Sequence, residues 1–548
     1  MKGINKRLLF SFIVACLISV ILIFKLLYIQ VWEHTKFYSL ANRQLKSEEV
    51  NLYNRGTIYD CNKNVLAVSS VVDSLAVNPK MIKNKSDFVR RLLSVLEVDY
   101  NEILGKVSKS CSFVWIKRYL DPEKSRRLRE LNLEGMNFVK ENRRWYPYGT
   151  MACHLLGGVG IDGNGLSGIE YLYDRELSNR DEYADKLDSP ADKLDRLRRP
   201  ADIILCIDIN LQSIVEDELD ILVKQYKSKK AFIVIQRPST GEILALAARP
   251  NFNSNSYNFT QEELLNPVIN GVFEPGSTYK IVPAAAALSL NIMKPDNLIN
   301  CENGKYKFSS ITINDHKKYN YLTFEGVMAY SSNIGIAKIG LTIGKEKLYQ
   351  YSQKFGFGSL TGSGLPGEQE GILHHTQSRK WSKVTAPVMS YGQGVCVTGM
   401  QLINAYSSIA NGGMLMEPQI IKSKPRIIRQ VVSEKTAEEL KKMLSKVVEY
   451  GTGTKSKVDG YTVCGKTGTA QKIDPVTGKY SKDKYISSFC GFLPADKPEL
   501  TILVVVDEPK GCYWGSEVAC PSFSRVAKKA MNYYSIYEKR KLDYASIE

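Results

Sequence analysis

The sequence lacks the residue patterns that bind metals or build a disulfide framework. Its 11 cysteines include no C-x-x-C pair, which excludes a tightly spaced disulfide scaffold, and most are expected to be small, buried apolar residues. A bridge between Cys512 and Cys520 would need a hairpin between them, and the spacing favours free thiols. None of the five histidines has metal-ligand spacing with a cysteine or a carboxylate, so the sequence predicts no metal site and no cofactor.

A nucleic-acid-binding module is also missing, although the net charge is +17. Such a charge suits a nucleic acid, a membrane surface or an anionic substrate. Because the basic residues are scattered and form no single stripe, we expect a surface beside anionic lipid headgroups and no nucleic-acid partner. The length of 548 residues predicts two or three domains.

The N-terminus contains an apolar run from Leu8 to Trp32, interrupted by one charge at Lys25. The run is long enough to cross a hydrocarbon core of about 30 Å, and Lys25 lies near one end, where its side chain can reach the headgroups. Positive charges within residues 2–7 precede the run, which predicts a cytoplasmic N-terminal tail. Everything after residue 33 then lies outside the cytoplasmic (inner) membrane, in the periplasm.

Two other interpretations of this run are less well supported. A cleavable signal peptide ends at small residues after about 7–15 apolar residues, but this run continues well beyond that length. Residues 13–16 (IVAC) resemble a lipoprotein cleavage box, yet they lie in the middle of the run with apolar residues on both sides. We therefore expect an uncleaved, single-pass membrane anchor.

The order of secondary-structure patterns predicts an α/β fold. Residues 178–200 are rich in charge and have no apolar face, so we interpret them as an exposed linker. After the linker, strand patterns come first, helical periodicity fills the middle, and strands return near residues 485–492 and 500–506. This order predicts one mixed domain whose sheet uses both the beginning and the end of its chain segment.

The segment 274–280 (EPGSTYK) places Ser277 at a predicted helix start, with Lys280 three residues later. Residues three apart share a helix face, so the lysine amine can reach the serine hydroxyl. That hydroxyl needs a base to become a good nucleophile, and lysine is such a base only when burial or a nearby cation lowers its pKa. Pro283 is expected to kink this helix. The same S-x-x-K pattern at residues 481–484 lies in a charged segment that we interpret as a loop.

A second motif, residues 331–333 (SSN), lies on a helical pattern. The Ser331 hydroxyl can relay a proton to a leaving amine, and the Asn333 amide can hold a substrate backbone. S-x-N is weak by itself, because residues 256–258 and 289–291 also fit it and such residues often serve as helix caps.

A third motif, K-T-G, occurs once in the chain, after an apolar strand pattern. Lys466 can bind a substrate carboxylate and can lower the pKa of Lys280 by charge repulsion. Gly468 would let a substrate backbone approach the strand edge closely, and the backbone N–H of Thr469 can contribute to an oxyanion hole. A solvent-exposed edge lysine is the alternative for Lys466 taken alone.

Each motif is weak alone, but their order along one chain matches the penicillin-recognising serine enzymes. Beyond these motifs the chain resembles the class B penicillin-binding proteins, which are peptidoglycan D,D-transpeptidases. The resemblance runs from the N-terminal anchor to about Phe523. It is carried by residues 55–60 (RGTIYD), 144–147 (RWYP), 154–157 (HLLG), 168–170 (GIE), 238–242 (PSTGE), 391–394 (YGQG) and 411–413 (NGG).

The resemblance implies a domain organisation. Residues 1–33 would form the cytoplasmic tail and the transmembrane anchor, and residues 34–200 a non-catalytic, dimerisation-like pedestal of mixed α+β structure. Residues 201–535 would form the transpeptidase domain, with a central antiparallel sheet flanked by helices and an all-helical part. Residues 536–548 would be a charged tail.

The resemblance also implies roles for the motif residues. The D-Ala-D-Ala end of a stem peptide would acylate Ser277, and an amine of a neighbouring strand would then form the cross-link. Ser331 would pass a proton to the leaving group, Asn333 would hold the stem-peptide amide, and Lys466 and Thr467 would receive the terminal carboxylate. The backbone N–H of Ser277 would complete the oxyanion hole, and β-lactams would acylate the same serine.

Three features bear on the branch of the family and on partners. After the RGTIYD segment the family usually has Arg-Asn-Gly, whereas this chain has Cys61, Asn62 and Lys63, a departure that concerns pedestal contacts rather than chemistry. Residues 356–358 (GFG) and 365–368 (LPGE), together with the compact length, are more similar to the septal, cell-division branch than to the elongation branch. The expected partners are a polytopic glycan-polymerising membrane protein and other division proteins.

Three alternatives stay open at this point. A D,D-carboxypeptidase and a penicillin-sensing receptor share the motifs, and a catalytically dead division scaffold is the non-enzymatic alternative. The long region before the catalytic motifs favours a synthetic enzyme over a receptor. The presence of all three motifs favours an enzyme over a scaffold.

Overall fold

The computed structural model describes residues 2–34, 55–178, 200–474 and 477–545. The predicted linker at 178–200 lies, except for its two end residues, outside the described residues. Contacts between Cα atoms divide the chain into two compact units, one of Met1–Asn54 with Ser69–Arg143 and the other of Arg55–Val68 with Arg144–Glu548. The domain boundaries predicted from the sequence stay a prediction.

The described residues form a series of helices and strands. The strands are β1 Ile58–Tyr59, β2 Val65–Val77, β3 Val114–Lys117, β4 Met136–Trp145, β5 Ile203–Ile204, β6 Lys230–Gln236, β7 Ile243–Arg249, β8 Val272–Phe273, β9 Leu298–Asn300, β10 Lys305–Phe308, β11 Ile311–Asn314, β12 Tyr321–Thr323, β13 Val397–Thr398, β14 Met414–Met416, β15 Ile427–Gln430, β16 Cys464–Ile473, β17 Tyr480–Leu493 and β18 Leu500–Asp507. The α-helices are α1 Lys2–Leu27, α2 Lys85–Leu93, α3 Tyr100–Val107, α4 Pro122–Glu130, α5 Cys153–Leu156, α6 Gly168–Leu172, α7 Asp174–Ser178, α8 Ile209–Tyr226, α9 Gln261–Leu264, α10 Pro267–Asn270, α11 Ile281–Ser289, α12 Phe324–Ala329, α13 Asn333–Ile343, α14 Lys345–Lys354, α15 Thr385–Ser390, α16 Gly399–Ala410, α17 Glu434–Glu449 and α18 Gly515–Ala545.

The N-terminal helix α1 has the length and composition of a membrane span. Residues Phe12–Val31 have a mean hydropathy of 2.8 over 20 residues. Apolar side chains on every side of the helix are exposed, which suits contact with lipid and not with a protein core. The predicted apolar helix is confirmed, except that its last five residues, Tyr28–Trp32, form a π-helical turn.

The first unit contains, besides α1, a small α+β core. Residues 69–77 of β2 belong to a strand that pairs with both β3 and β4. The helices α2 and α3 begin at polar caps, because the Asn84 and Asp99 side chains accept the backbone N–H groups of Asp87 and Glu102. Their apolar faces pack with the sheet into one cluster, whose buried residues include Leu75, Val77, Phe88, Val89, Leu92, Ile103, Val107 and Leu128. The mixed α+β structure predicted for this region is confirmed.

The second unit is organised around a five-stranded sheet of order β16-β17-β18-β6-β7, in which all neighbours are antiparallel. Its central strand, β18, reads LTILVVVD and buries its first seven residues, as expected of a β-branched run covered on both faces. Two strands come from the start of the unit's main segment and three from its end. The predicted sheet architecture is therefore confirmed.

Helices cover both faces of this sheet. On one face, α8 and α18 pack against the strands through Leu211, Val215, Val518 and Phe523. On the other face lies a larger helical part, which includes α11, α13, α16 and α17. The four consecutive alanines of α11 (residues 284–287) are completely buried, so this helix lies close to its neighbours. Because α11 directly follows the Ser277 segment, this packing fixes the position of Ser277.

A buried ion cluster joins three of the segments that carry the family resemblance. The Glu170 carboxylate is completely buried and accepts hydrogen bonds from the Arg55 and Arg144 guanidinium groups and, at 3.2 Å, from the Tyr146 hydroxyl. Arg55 also donates to Asp174 at 2.6 Å. Burial disfavours an isolated charge. The loss of one member of this cluster would therefore leave the others buried without a partner.

The helix predicted to start at Ser277 differs from the observed one. Residues Gly276–Lys280 form a 3₁₀ turn, and α11 begins only at Ile281. Pro283 is therefore the third residue of α11, where its missing N–H removes no intrahelical hydrogen bond. The predicted kink at Pro283 stays a prediction.

The second S-x-x-K pattern was predicted to lie in a loop, but Ser481 and Lys484 belong to β17. Side chains three apart on a strand point to opposite faces. The Ser481 hydroxyl donates to Asp483 at 2.6 Å. Lys484 therefore lies on the opposite face of the strand from the Ser481 hydroxyl.

All eleven cysteines are free thiols. Cys512 is partly exposed in the loop before α18, whereas Cys520 is buried within that helix. Burial raises the pKa of Cys520 above its usual value, with nearby charges contributing less. Six of the eleven are buried, which agrees with the small apolar role expected for most of them.

Candidate active site

Ser277 lies half-buried on the 3₁₀ turn before α11. The turn is held by the Tyr406 hydroxyl, which donates to the Thr278 carbonyl at 2.7 Å. It is also held by the Gly276 N–H, which donates to the Gly392 carbonyl at 3.0 Å. A Cβ on Gly392 would lie 2.0 Å from the Gly276 carbonyl oxygen, so only glycine fits this close approach.

The Lys280 amine joins the first two motifs. It is completely buried and donates to the Ser331 carbonyl at 2.6 Å, to the Ser331 hydroxyl at 3.1 Å and to Asn333 Oδ1 at 2.9 Å. These contacts use its three donors, and no hydrogen bond joins it to Ser277 among the described residues. The predicted Ser277–Lys280 hydrogen bond is thus not formed in this state. Catalytic hydrogen bonds commonly tighten only when substrate is bound.

The surroundings of Lys280 favour the neutral form of its amine. Burial, and then the positive charge of Lys466, lower the pKa of Lys280 well below its usual value, while Asp315 and Cys301 oppose the shift. Burial also lowers the pKa of Lys466, to about 7. A depressed pKa favours the neutral amine, which is the form that can accept a proton.

The K-T-G strand β16 runs beside the serine turn. A Cβ on Gly468 would lie 3.0 Å from the Thr278 side chain and 2.3 Å from the Ser488 hydroxyl. A Cβ on Gly276 would lie 3.2 Å from Ala470. Residues far apart in sequence therefore converge, as the three motifs predicted. Gly468 is required by the protein's own packing.

The remaining K-T-G-T side chains are held by neighbours. Lys466 is completely buried, and its amine lies 3.4 Å from the Thr467 carbonyl and hydroxyl. The Thr467 hydroxyl shares a 2.7 Å hydrogen bond with the Thr452 hydroxyl. The Thr469 hydroxyl accepts the Gly515 N–H at 2.9 Å.

Asp315 organises the S-x-N turn and was missed by sequence reasoning. Its carboxylate accepts the Ser332 hydroxyl at 2.6 Å and the backbone N–H groups of Asn333 and Ile334 at 2.5 and 3.0 Å. Ser331 lies in the left-handed region with φ +61°, so the turn needs such support. Nothing in the local sequence marks Asp315, because its partners are brought near only by the hairpin of β10 and β11.

We expect Asp315→Asn to shift the pH dependence of penicillin acylation. The amide oxygen can still accept the two N–H bonds, but the negative charge that raises the pKa of Lys280 is lost. The pKa of Lys280 should fall, so the acid limb of the acylation rate should move to lower pH. The weaker bond to Ser332 should reduce the plateau rate by about tenfold.

The measurement is the second-order rate constant for penicillin acylation between roughly pH 5 and 9. Lys466→Met provides the opposite case, because it removes a charge that lowers the pKa of Lys280. Its acid limb should move to higher pH. Shifts of both variants in the same direction would refute the electrostatic explanation.

These elements surround a cavity of about 440 Å³ that contains Ser277. One wall is formed by residues 312–316 with Asn333, and the other by residues 469–471 with the aromatic side chains of Tyr485, Tyr513 and Trp514. A nucleophile beside a buried amine base, under a strand edge that can bind an extended peptide, is an arrangement for acyl transfer.

The comparisons with known proteins agree with this site. Residues 231–531 match the family model of the penicillin binding protein transpeptidase domain, and residues 52–188 match the penicillin-binding protein dimerisation domain. By fold and site, the chain is a serine acyltransferase of the penicillin-recognising type. It belongs to the class B penicillin-binding proteins.

Several relatives match over most of their length. The chain is 32% identical to the probable peptidoglycan D,D-transpeptidase PenA of Neisseria meningitidis, over 99% of this chain and 95% of that protein. It is 33% identical to stage V sporulation protein D of Bacillus subtilis (96% and 86%) and 30% identical to the peptidoglycan D,D-transpeptidase FtsI of Escherichia coli (88% and 84%). The crystal structure of a peptidoglycan synthetase from Bifidobacterium adolescentis matches with a TM-score of 0.67 at 27% identity, over 88% of this chain and 96% of that one.

Proposed function

We propose that this enzyme is a peptidoglycan D,D-transpeptidase that cross-links stem peptides through an acyl-serine intermediate at Ser277. The observation that carries the proposal is the position of Lys280. Its amine is completely buried, bonded to Ser331 and Asn333, three residues from the nucleophile, on a turn packed against β16. Burying the charge of a lysine is unfavourable, so stability does not explain a lysine at this position. A role in acyl transfer explains it better.

Acylation would begin when neutral Lys280 takes the hydroxyl proton of Ser277. The serine oxygen then attacks the carbonyl of the penultimate D-Ala. The developing oxyanion would be stabilised by the backbone N–H groups of Ser277 and Thr469. Ser331, already in contact with the lysine amine, would pass a proton to the nitrogen of the departing D-Ala.

Substrate binding would use the groups on both sides of the cavity. The stem peptide would lie along the edge of β16, with its terminal carboxylate near Lys466 and Thr467 and one of its backbone amides on Asn333. After D-Ala leaves, an amine from a neighbouring strand would attack the ester and regenerate the Ser277 hydroxyl. A β-lactam would follow the first half of this path and stop at the acyl-enzyme.

The surroundings of the enzyme are also part of the proposal. Residues 1–33 would anchor it in the cytoplasmic membrane with the N-terminus inside, residues 34–200 would form the pedestal, and residues 201–535 the catalytic domain in the periplasm. The relatives named FtsI support a septal role. A polytopic glycan polymerase and division proteins would be the partners.

The test is a cross-linking assay with the full-length protein in detergent. A donor peptide that ends in D-Ala-D-Ala and an acceptor peptide with a free side-chain amine should give a cross-linked dimer and one released D-Ala. Penicillin and Ser277→Ala should both abolish the dimer. D-Ala release without a dimer would identify a carboxypeptidase instead. Penicillin binding without either product would identify a receptor or a scaffold.

A further inference from the structure

His316 lies in the wall of the cavity that contains Ser277 and has no role in the steps above. It follows Asp315, and its ring meets the edge of Trp514 with centroids 4.8 Å apart and planes 87° apart. Much of its side chain remains open to solvent. The imidazole thus borders both the cavity and solvent, so a proton on it can pass to water.

In transpeptidation the attacking amine must first be deprotonated, whereas the water that attacks in hydrolysis is already neutral. A side-chain amine exists mainly as an ammonium ion at neutral pH, and an ammonium ion cannot attack an ester. It must lose one proton before the attack and a second proton during the attack. Lys280 can take the second and return it to Ser277, but it cannot hold two. The first proton needs another acceptor near the entrance.

We propose that His316 is a catalytic residue of the second half-reaction, the base that takes the first proton from the acceptor ammonium group. This inference rests on the proposed transpeptidase function and names the group that serves its acceptor side. The proton would move from the ammonium nitrogen to a ring nitrogen of His316 and then to bulk water. The neutral amine would form the C–N bond while the C–O bond to Ser277 breaks.

The charges around His316 support this role. Partial burial and the positive charge of Lys280 lower the pKa of His316, Asp315 opposes the shift, and Lys466 adds to it. Tyr485 and Tyr513 also line the cavity. The neutral imidazole, the form that can accept a proton, is thereby favoured. The nearby lysines disfavour the imidazolium, so it gives the proton up quickly to water.

The experiment compares His316→Gln with His375→Gln in the full-length protein. His375 is a matched control, because it is also exposed and meets an aromatic ring edge, that of Tyr349 at 5.1 Å, but does not line the Ser277 cavity. Each variant is acylated by a D-Ala-D-Ala donor peptide. The acyl-enzyme is then offered either a strongly basic acceptor, Nα-acetyl-lysine amide, whose single amine is the lysine side chain, or a weakly basic one, hydroxylamine.

With Nα-acetyl-lysine amide at neutral pH, His316→Gln should lower the aminolysis rate by on the order of 100-fold relative to hydrolysis of the same acyl-enzyme. The difference in aminolysis rate between the variant and the wild type should become smaller as the pH rises, because the amine then loses its proton without a base. With hydroxylamine, which is neutral at pH 7, the variant should lie within about threefold of the wild type. His375→Gln should behave like the wild type with both acceptors.

Several results would overturn the inference. One is an equal loss of aminolysis rate with both acceptors in His316→Gln. Another is a wild-type aminolysis rate in His316→Phe, which keeps a ring against Trp514 but has no basic group. A loss of penicillin acylation as large as the loss of aminolysis would show a structural role. Failure of the proposed function itself looks different, because the wild type would then form no cross-link with either acceptor.

Discussion

Replacing Lys280 by arginine should reduce the rate of penicillin acylation by roughly 10²–10⁴, the contribution of a general base. Arginine keeps the positive charge and much of the hydrogen-bonding capacity, but it does not lose a proton in proteins. The variant therefore removes only the property on which the mechanism depends, a neutral amine near pH 7. Stopped-flow or gel-based labelling with fluorescent penicillin measures the rate.

The control is Lys441→Arg, because Lys441 is another buried lysine of the second unit, on α17, where it pairs with Glu438 at 2.7 Å. Its substitution should leave acylation within about twofold of the wild type. Acylation of Lys280→Arg within tenfold of the wild type would show that another group deprotonates Ser277.

Replacing Glu170 by glutamine should lower the free energy of unfolding by about 3–5 kcal/mol, because breaking a buried ion pair leaves uncompensated charges in the core. Glu170 is completely buried between Arg55 and Arg144, whose side chains are only 7% and 2% exposed. The amide has nearly the same shape, so the effect should come from the lost charge and not from a cavity. Denaturant unfolding of the purified protein measures the change.

The matched control is Glu176→Gln, an exposed glutamate on the adjacent helix α7. Surface substitutions of this kind usually change stability by less than about 0.5 kcal/mol. Equal effects of the two substitutions would show that the Glu170 cluster contributes little to stability.

The architecture and the main site residues could be predicted from the sequence because their signals are local or unique. The β-branched run of β18 and the uninterrupted apolar stretch of α1 each mark one element. The order of S-x-x-K, S-x-N and K-T-G identified Ser277, Lys280 and Lys466. In the structure these motifs do converge, since Lys280 bonds to Ser331 and Asn333 and the serine turn packs on β16.

What the sequence could not predict depends on contacts between distant segments. Asp315 and His316 directly follow the short hairpin of β10 and β11, and their contacts with α13 and Trp514 leave no periodic pattern in the sequence. The 3₁₀ turn at Gly276–Lys280 was missed because tertiary hydrogen bonds, such as the one from Tyr406, shape it. Ser481 was assigned to a loop because the charged residues beside it obscure the strand pattern of β17. This strand pairs with β16.

The most direct test of the account is to locate the covalent adduct after incubation with a fluorescent penicillin. Mass spectrometry of the digested wild type should place the penicilloyl group on Ser277, and the Ser277→Ala variant should carry no label. A label that persists in Ser277→Ala, or an adduct on Ser481, would contradict the assignment of the nucleophile and the mechanism built on it.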